Sequence, residues 1–215
     1  YSAALDAGGL TLASVQDDAP YTYAGANGKS VNNYDRRYRG FTTLREAITD
    51  SINIVTVKTL AQAGVSLGWQ YVQEYGFTTV DSRDMNEALA LGGITQGVSN
   101  LELTAAYAAI ANQGTYIRPK FYTKILDHDG NVLIDNTTPE SHTVIKDTTA
   151  WLLTSAMEDV MTSGTGTSAY FGSSMAQAGK SGTTTSSRDA LFAGYTPYYT
   201  CAVWGGYDDN AMQKG

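Results

Sequence analysis

Apolar residues recur at helical spacing along much of this chain, and runs of turn formers separate the helical stretches. Ala3, Ala4, Leu5 and Ala7, ending at Gly8-Gly9, predict the tail of a helix over 1–9. From Thr42 onward, Leu44, Ile48, Ile52, Val55 and Leu60 fall near a 3.6-residue period, and Gly64 closes that run. A short helix is expected over 67–75. An alanine-rich one suited to close packing follows over 101–112, stopped by Gly114. A further helix over 148–161 places Leu152, Ala156 and Val160 on one face. Between these lie residues 10–40, rich in turn formers and tyrosine, which predict an ordered loop region, and the flexible stretch LGGITQGVSN.

The texture changes after residue 114. Residues 116–126, the turn Asp129-Gly130-Asn131 and residues 132–134 predict a β-hairpin with a glycine-containing loop. The glycine-rich link SGTGTSAYFGSS leads to Lys180-Ser181-Gly182-Thr183-Thr184, and residues 189–207 supply two more strands. A helical half followed by hairpin, helix and three strands predicts an α+β fold, an antiparallel sheet with helices segregated around it. No linker-like composition divides the halves. One unit with two lobes is expected, 1–114 mainly helical and 115–215 carrying the sheet strands.

Composition narrows the function. The chain has 215 residues, 42% hydrophobic and 16% charged, with a net charge of −7. An acidic balance excludes nucleic acid as a partner, since phosphate binding needs a basic surface. No apolar run approaches the roughly 20 residues of a membrane span. The lone Cys201 rules out an internal disulfide, and its apolar strand-like run predicts a buried structural thiol. Trp151, Met157 and Met161 read as core. Glu46, Asp50 and Glu87 read as solvated helix faces. His128 and His142 lie in turn-rich sequence without metal-ligand spacing, and neither metal nor cofactor is expected. Gly164-Thr165-Gly166 is no dinucleotide loop, because no strand precedes it and no helix opens after it.

Two short constellations carry chemistry. In a strand, glycine often marks a close approach by a ligand or another backbone. Flanked by Lys180 and Thr183, Gly182 would let an anionic, acyl-bearing ligand lie along the strand. An edge strand with a solvated lysine and a bulge glycine fits the same residues. The second constellation is Ser51-Ile52-Asn53. A break in the helical pattern here would project a hydroxyl and an amide into a cleft; otherwise Ser51 is a helix N-cap. A second S-x-N, Ser30-Val31-Asn32, precedes a loop rather than an apolar helix.

KSGTT resembles the K-T-G element of penicillin-binding proteins and serine β-lactamases, with Ser181 in place of the usual threonine. The resemblance extends in order through most of the chain. NNYDRRYRG leading into TTLREAITDSINIVTVKTLAQAG looks like the second-motif region of class A, bifunctional penicillin-binding proteins. LGGITQGVSNLELTAAYAAIANQGTYI, then DALFAGYTP and VWGGY, are similar to later segments of the same family. This implies a β-lactamase/transpeptidase-like fold and a D,D-transpeptidase cross-linking peptidoglycan stem peptides through a serine acyl-enzyme. By the same resemblance Ser51-Ile52-Asn53 is the working copy and Ser30-Val31-Asn32 a coincidence. Ser51, Lys180 and Thr183 are then the catalytic residues. Ser51 links the base to Lys180 and assists proton transfer to the leaving group. Asn53 holds a peptide carbonyl. Ser181 and Thr183 bind the terminal carboxylate, the Thr183 N–H forms half of an oxyanion hole, and Gly182 and Thr184 complete the substrate-binding strand.

One part is missing. Of the seven lysines, none has a serine three residues upstream, so the family's S-x-x-K nucleophile and base are absent from this chain. With Tyr1 as its first residue, the chain is expected to be a piece of a longer protein, incomplete at the N-terminus of the fold, and by itself incapable of acylation. The resemblance implies a parent that is membrane-anchored at the extracytoplasmic face of a bacterial cell, with an upstream glycosyltransferase domain. Its ligands would be stem peptides and β-lactams. A carboxypeptidase or β-lactamase relative, and a non-catalytic peptidoglycan- or β-lactam-binding module, stay open as alternatives. The SIN motif and the absence of an E-x-x-L-N loop weigh against the β-lactamase.

Overall fold

The structure, a computed structural model, describes residues 1–24, 29–172 and 174–213. Residues 25–28 of the expected loop region and residue 173 of the glycine-rich link lie outside the described residues. The first helix, α1 (Ser2–Asp6), is followed by strand β1 (Val15–Asp18), the short strands β2 (Tyr21–Thr22) and β3 (Ser30–Val31), and β4 (Gly40–Thr43). The stretch read as loop thus holds four strands. β1 pairs antiparallel with β4 and β2 with β3, pairings of two to four residues that are too short to leave an alternating hydrophobic signature.

The helical run expected from Thr42 to Gly64 is two helices, α2 (Leu44–Thr49) and α3 (Asn53–Ala63). Thr43 caps α2 reciprocally with Glu46, its side chain accepting from the Glu46 N–H while the Glu46 carboxylate accepts from the Thr43 N–H. Next come α4 (Val65–Glu74), two short 3₁₀ turns at Ser82–Asp84 and Glu87–Leu91, and α5 (Asn100–Ala111). A second capping box, Ser99 with Glu102, starts α5.

The expected single hairpin is two nested pairs. β5 (Thr115–Ile117) pairs with β8 (Ser141–Thr143), while β6 (Lys124–Leu126) pairs with β7 (Val132–Asp135). Pro119 follows β5 and cannot donate to a ladder, so the outer pair ends there. Helix α6 (Asp147–Thr162) buries Ala150, Leu153, Ala156, Met157, Val160 and Met161, a stripe at three- and four-residue spacing. The chain closes with an antiparallel sheet in the order β11 (Thr200–Gly206), β10 (Asp189–Tyr195), β9 (Ala178–Thr183). α6 packs on β9, and α5 packs on β10 and β11. One apolar cluster runs from Leu12 and Ile48 through the α5 alanines and α6 to Ala178 and Tyr195.

Four expectations about single residues are corrected. Trp151 is 68% exposed, because the inward stripe of α6 passes through Ala150 and Leu153 on either side of it. Cys201 is exposed on β11, where alternation turns the neighbouring Ala202 inward instead. Glu87 is buried, its carboxylate accepting from the Tyr21 hydroxyl and the Ala24 N–H, 3.0 Å each. His142 sits on β8 rather than in a loop, its ring 5.2 Å from that of Tyr116.

Candidate active site

The break between α2 and α3 is a Schellman turn. Ile52 N–H bonds Ala47 O at 3.0 Å and Ser51 N–H bonds Ile48 O at 3.4 Å, the paired closure of a helix C-terminus. Ile52 then buries itself beside Ala47, Leu44 and Val55. Such a turn needs its central residue in the left-handed region, and that residue is Ser51, at φ 56°. Glycine takes this place without penalty, whereas a serine there costs about 1 kcal/mol. The hydroxyl is kept at a position the backbone would give to glycine, and such strain concentrates at functional sites.

Across from this turn runs β9. Lys180 Nζ donates to Ser51 Oγ at 2.8 Å and to Ser181 O at 2.9 Å. Burial disfavours its charge and lowers its pKa from 10.5 to about 8. Thr184 N–H bonds Asp189 O at 3.0 Å at the start of an unshifted β9–β10 ladder. In antiparallel pairs, inward- and outward-directed residues alternate. Ser181 and Thr183 therefore present their backbone groups at the free edge of β9. Lys180 confirms the direction by capturing the Ser181 carbonyl there. Gly182 has no positive φ, and a Cβ built on it meets only Leu191 Cβ, at 3.8 Å. The fold does not require glycine at 182; the space it leaves is open.

Asn53 opens α3, and its Nδ2 donates to Asn32 O at 2.8 Å. The second S-x-N is therefore a neighbour of the first through its backbone. Next to it, buried Asn33 accepts from the Ile54 N–H at 3.2 Å, capping α3 from another segment, and donates to both oxygens of the fully buried Asp18 at 2.8 and 3.0 Å. Ser181 Oγ meets Thr165 Oγ1 at 2.9 Å. Thr184 is directed elsewhere: its hydroxyl bonds Asp189, whose other oxygen receives Trp204 Nε1, so it builds the β9–β10 turn. Lys180 thus joins Ser51 to the Ser181 backbone, Gly182 and Thr183 continue the same strand, and Asn53 follows Ser51 by two residues, while Thr184 stands aside.

Residues 1–209 match the family model described as the penicillin-binding protein transpeptidase domain. The chain belongs to the penicillin-binding protein transpeptidase family. It is 41% identical over 182 residues to penicillin-binding protein 1F of Bacillus subtilis, covering 82% of this chain and 25% of that protein. With penicillin-binding protein 1A of Clostridium perfringens it shares 35% identity over 219 residues, covering 97% of this chain and 32% of that one. These relatives agree with the class A resemblance in the sequence. The crystal structure of penicillin-binding protein 1A from Haemophilus influenzae superposes with a TM-score of 0.86 at 28% identity, over 98% of this chain and 37% of that one. The transpeptidase-like α+β fold expected from the sequence is the fold observed. The chain spans about a quarter to a third of the length of the curated relatives it matches. Among the described residues, no helix is long and apolar enough to cross a membrane.

Sequence reasoning passed over Asn33 and Thr165. Asn33 stood inside the quoted NNYD segment, but nothing in the sequence shows which side chain of that segment turns inward. Thr165 lies in the Gly164-Thr165-Gly166 run that is no dinucleotide loop, and the paired glycines around it are the signal of a close backbone approach.

Proposed function

We propose that the cleft between the Ser51 turn and the free edge of β9 is the acyl-donor site of a D,D-transpeptidase that cross-links peptidoglycan stem peptides through a serine acyl-enzyme. The nucleophile and its base would come from parts of the parent polypeptide outside these 215 residues. The observation that carries this reading is the 2.8 Å bond from Lys180 to Ser51, which joins two motifs 129 positions apart. Names of the relatives support penicillins as ligands. A glycosyltransferase domain beside this one, and membrane anchorage at the extracytoplasmic face, follow the class A pattern. The whole 1–215 stretch would act as one unit, with the apolar cluster between its lobes fixing the cleft.

The geometry supports a role for each residue. A lysine ammonium has only donors, so the bond from Lys180 occupies a lone pair of Ser51 Oγ and leaves the Ser51 proton free for an acceptor in the cleft. The adjacent cation makes that hydroxyl a better acid, as protonating a departing amine requires. Thr183 N–H at the strand edge donates to the developing oxyanion. Ser181 and Thr183, beside the Lys180 charge, receive the carboxylate of the stem peptide or of a β-lactam. Asn53, one of whose amide N–H groups is fixed on Asn32 O, keeps its second N–H for a carbonyl of the stem peptide.

Intact mass after exposure to a penicillin tests this. The folded parent should gain one β-lactam mass and the isolated chain none. A folded parent that stays unmodified would refute the transpeptidase reading, and an adduct on the isolated chain would refute the location of the nucleophile.

A further inference from the structure

The loop between α6 and β9 touches both the end of α2 and β9. Ser163 ends α6, and Gly164 lies so close to the end of α2 that a Cβ on it would stand 2.2 Å from Thr49 O. Thr165 N–H donates to the same Thr49 carbonyl at 3.3 Å, and Gly166 N–H returns to Val160 O at 2.9 Å. The loop is therefore pinned on both sides of Thr165, two residues from the Ser51 turn. From this fixed point Thr165 Oγ1 reaches Ser181 Oγ on β9 at 2.9 Å.

We infer that Thr165 is a positioning residue that aims the Ser181 hydroxyl at the ligand's carboxylate, and so helps set selectivity for substrates bearing that acid. The inference rests on the transpeptidase reading of the cleft. A serine hydroxyl has one proton. If Ser181 gives that proton to a carboxylate, the bond between the two hydroxyls must run from Thr165 to Ser181. Donation into Ser181 Oγ polarises its O–H toward the anion, and the two bonds strengthen one another. Without Thr165, Ser181 can turn its proton back to neighbouring backbone acceptors or to water. Because Thr165 also holds Thr49 through its backbone, the same residue fixes the spacing between the Ser51 turn and β9.

The test uses the parent polypeptide and two acylating probes, a penicillin with its free carboxylate and the methyl ester of that penicillin. The quantity read is the ratio of their second-order acylation rates. Thr165→Val keeps the shape and removes only the donor, and it should lower the acid-to-ester ratio about three- to tenfold, the size of one neutral hydrogen bond. Thr165→Ser should restore the ratio. In a Ser181→Ala background Thr165→Val should change it by less than twofold, because the group it aims is gone. Should Thr165→Val fail to fold, Thr165→Ala supplies the same comparison. Equal loss with acid and ester, or full additivity with Ser181→Ala, would overturn the positioning role while leaving the transpeptidase reading intact. A wild-type parent that neither probe acylates would overturn both.

Discussion

Ser51 and Lys180 are joined by a 2.8 Å hydrogen bond, yet neither is comfortable where it stands: Ser51 is in a left-handed backbone conformation and Lys180 is a partly buried cation. Each unfavourable placement belongs to a residue whose side chain makes that bond and, on the proposed reading, lines the acyl-donor site. Stability and chemistry are therefore opposed at both residues, and the opposition can be measured.

At Ser51 the relevant comparison is between two variants that both lack the hydroxyl. Ser51→Ala keeps a Cβ in the left-handed region, whereas Ser51→Gly removes it. Ser51→Gly should be the more stable by about 0.5–1 kcal/mol, the left-handed penalty less the greater freedom of glycine in the unfolded chain. Thermal unfolding reads the difference, and both variants should fail to support acylation in the parent. Equal stability would mean that the Schellman turn imposes no strain at position 51.

At Lys180 the effect depends on pH. The folded-state pKa, about 8, lies below the ordinary 10.5. Below pH 8 both folded and unfolded chains carry the proton, and burial of the cation costs roughly 3 kcal/mol. Between 8 and 10.5 the unfolded chain binds more protons, so stability rises with pH and the penalty is gone above 10.5. Lys180→Met has no such penalty. Its advantage over wild type should be about 1–3 kcal/mol at pH 7, the lower figure allowing for its lost hydrogen bonds, and should shrink across pH 8–10.5. Tyr75 and Tyr195, held above the ordinary tyrosine range by burial, act equally in both proteins and cancel. A difference that stays flat over that window would contradict the buried cation.

Gly182 is free of fold constraints, so its substitution separates folding from binding. Gly182→Ala should change unfolding by no more than about 0.5 kcal/mol. In the parent, the added methyl occupies the open side of β9 and should slow acylation by penicillin at least tenfold, roughly what overpacking of a close contact costs. Unchanged acylation would show that no ligand lies against that strand.

The sequence announced the longer helices and the three closing strands because they are long enough to show a period, but it read α2 and α3 as one run. It did not announce β1 to β4, whose few residues owe their pairing to α3 and the 3₁₀ turn at Glu87 rather than to any pattern of their own. Lys180 and Ser51 were legible as motif residues through the family resemblance, since the residues alone also fitted a solvated edge strand and a helix cap. Their contact was not, because it spans 129 positions and depends on the left-handed Ser51. Trp151 was misjudged for a related reason: helical spacing identifies a face, but only the packing of α6 on β9 decides which face is inside. Thr165 and Asn33 act through one or two polar atoms each, and periodicity is blind to those.

Asn33 shows how far such an atom can reach. Its amide binds both oxygens of Asp18, which has no exposed surface, and also Arg37 O, while its carbonyl caps α3 at Ile54. Among the described residues, Asp18 has further help only from Arg39, by its N–H at 2.9 Å and its guanidinium at 3.9 Å. Asn33→Ala would leave a buried carboxylate half-partnered and the first turn of α3 uncapped, at a cost of about 2–4 kcal/mol. In an Asp18→Ala background the same change should cost at least about 1 kcal/mol less, because the charge it strands is gone. Urea unfolding midpoints measure both. The loop that Asn33 holds also carries the Asn32 carbonyl on which Asn53 rests. Asn33→Ala should therefore slow penicillin acylation of the parent under conditions where the protein remains folded. If the two substitutions prove additive, Asn33 and Asp18 do not form one unit.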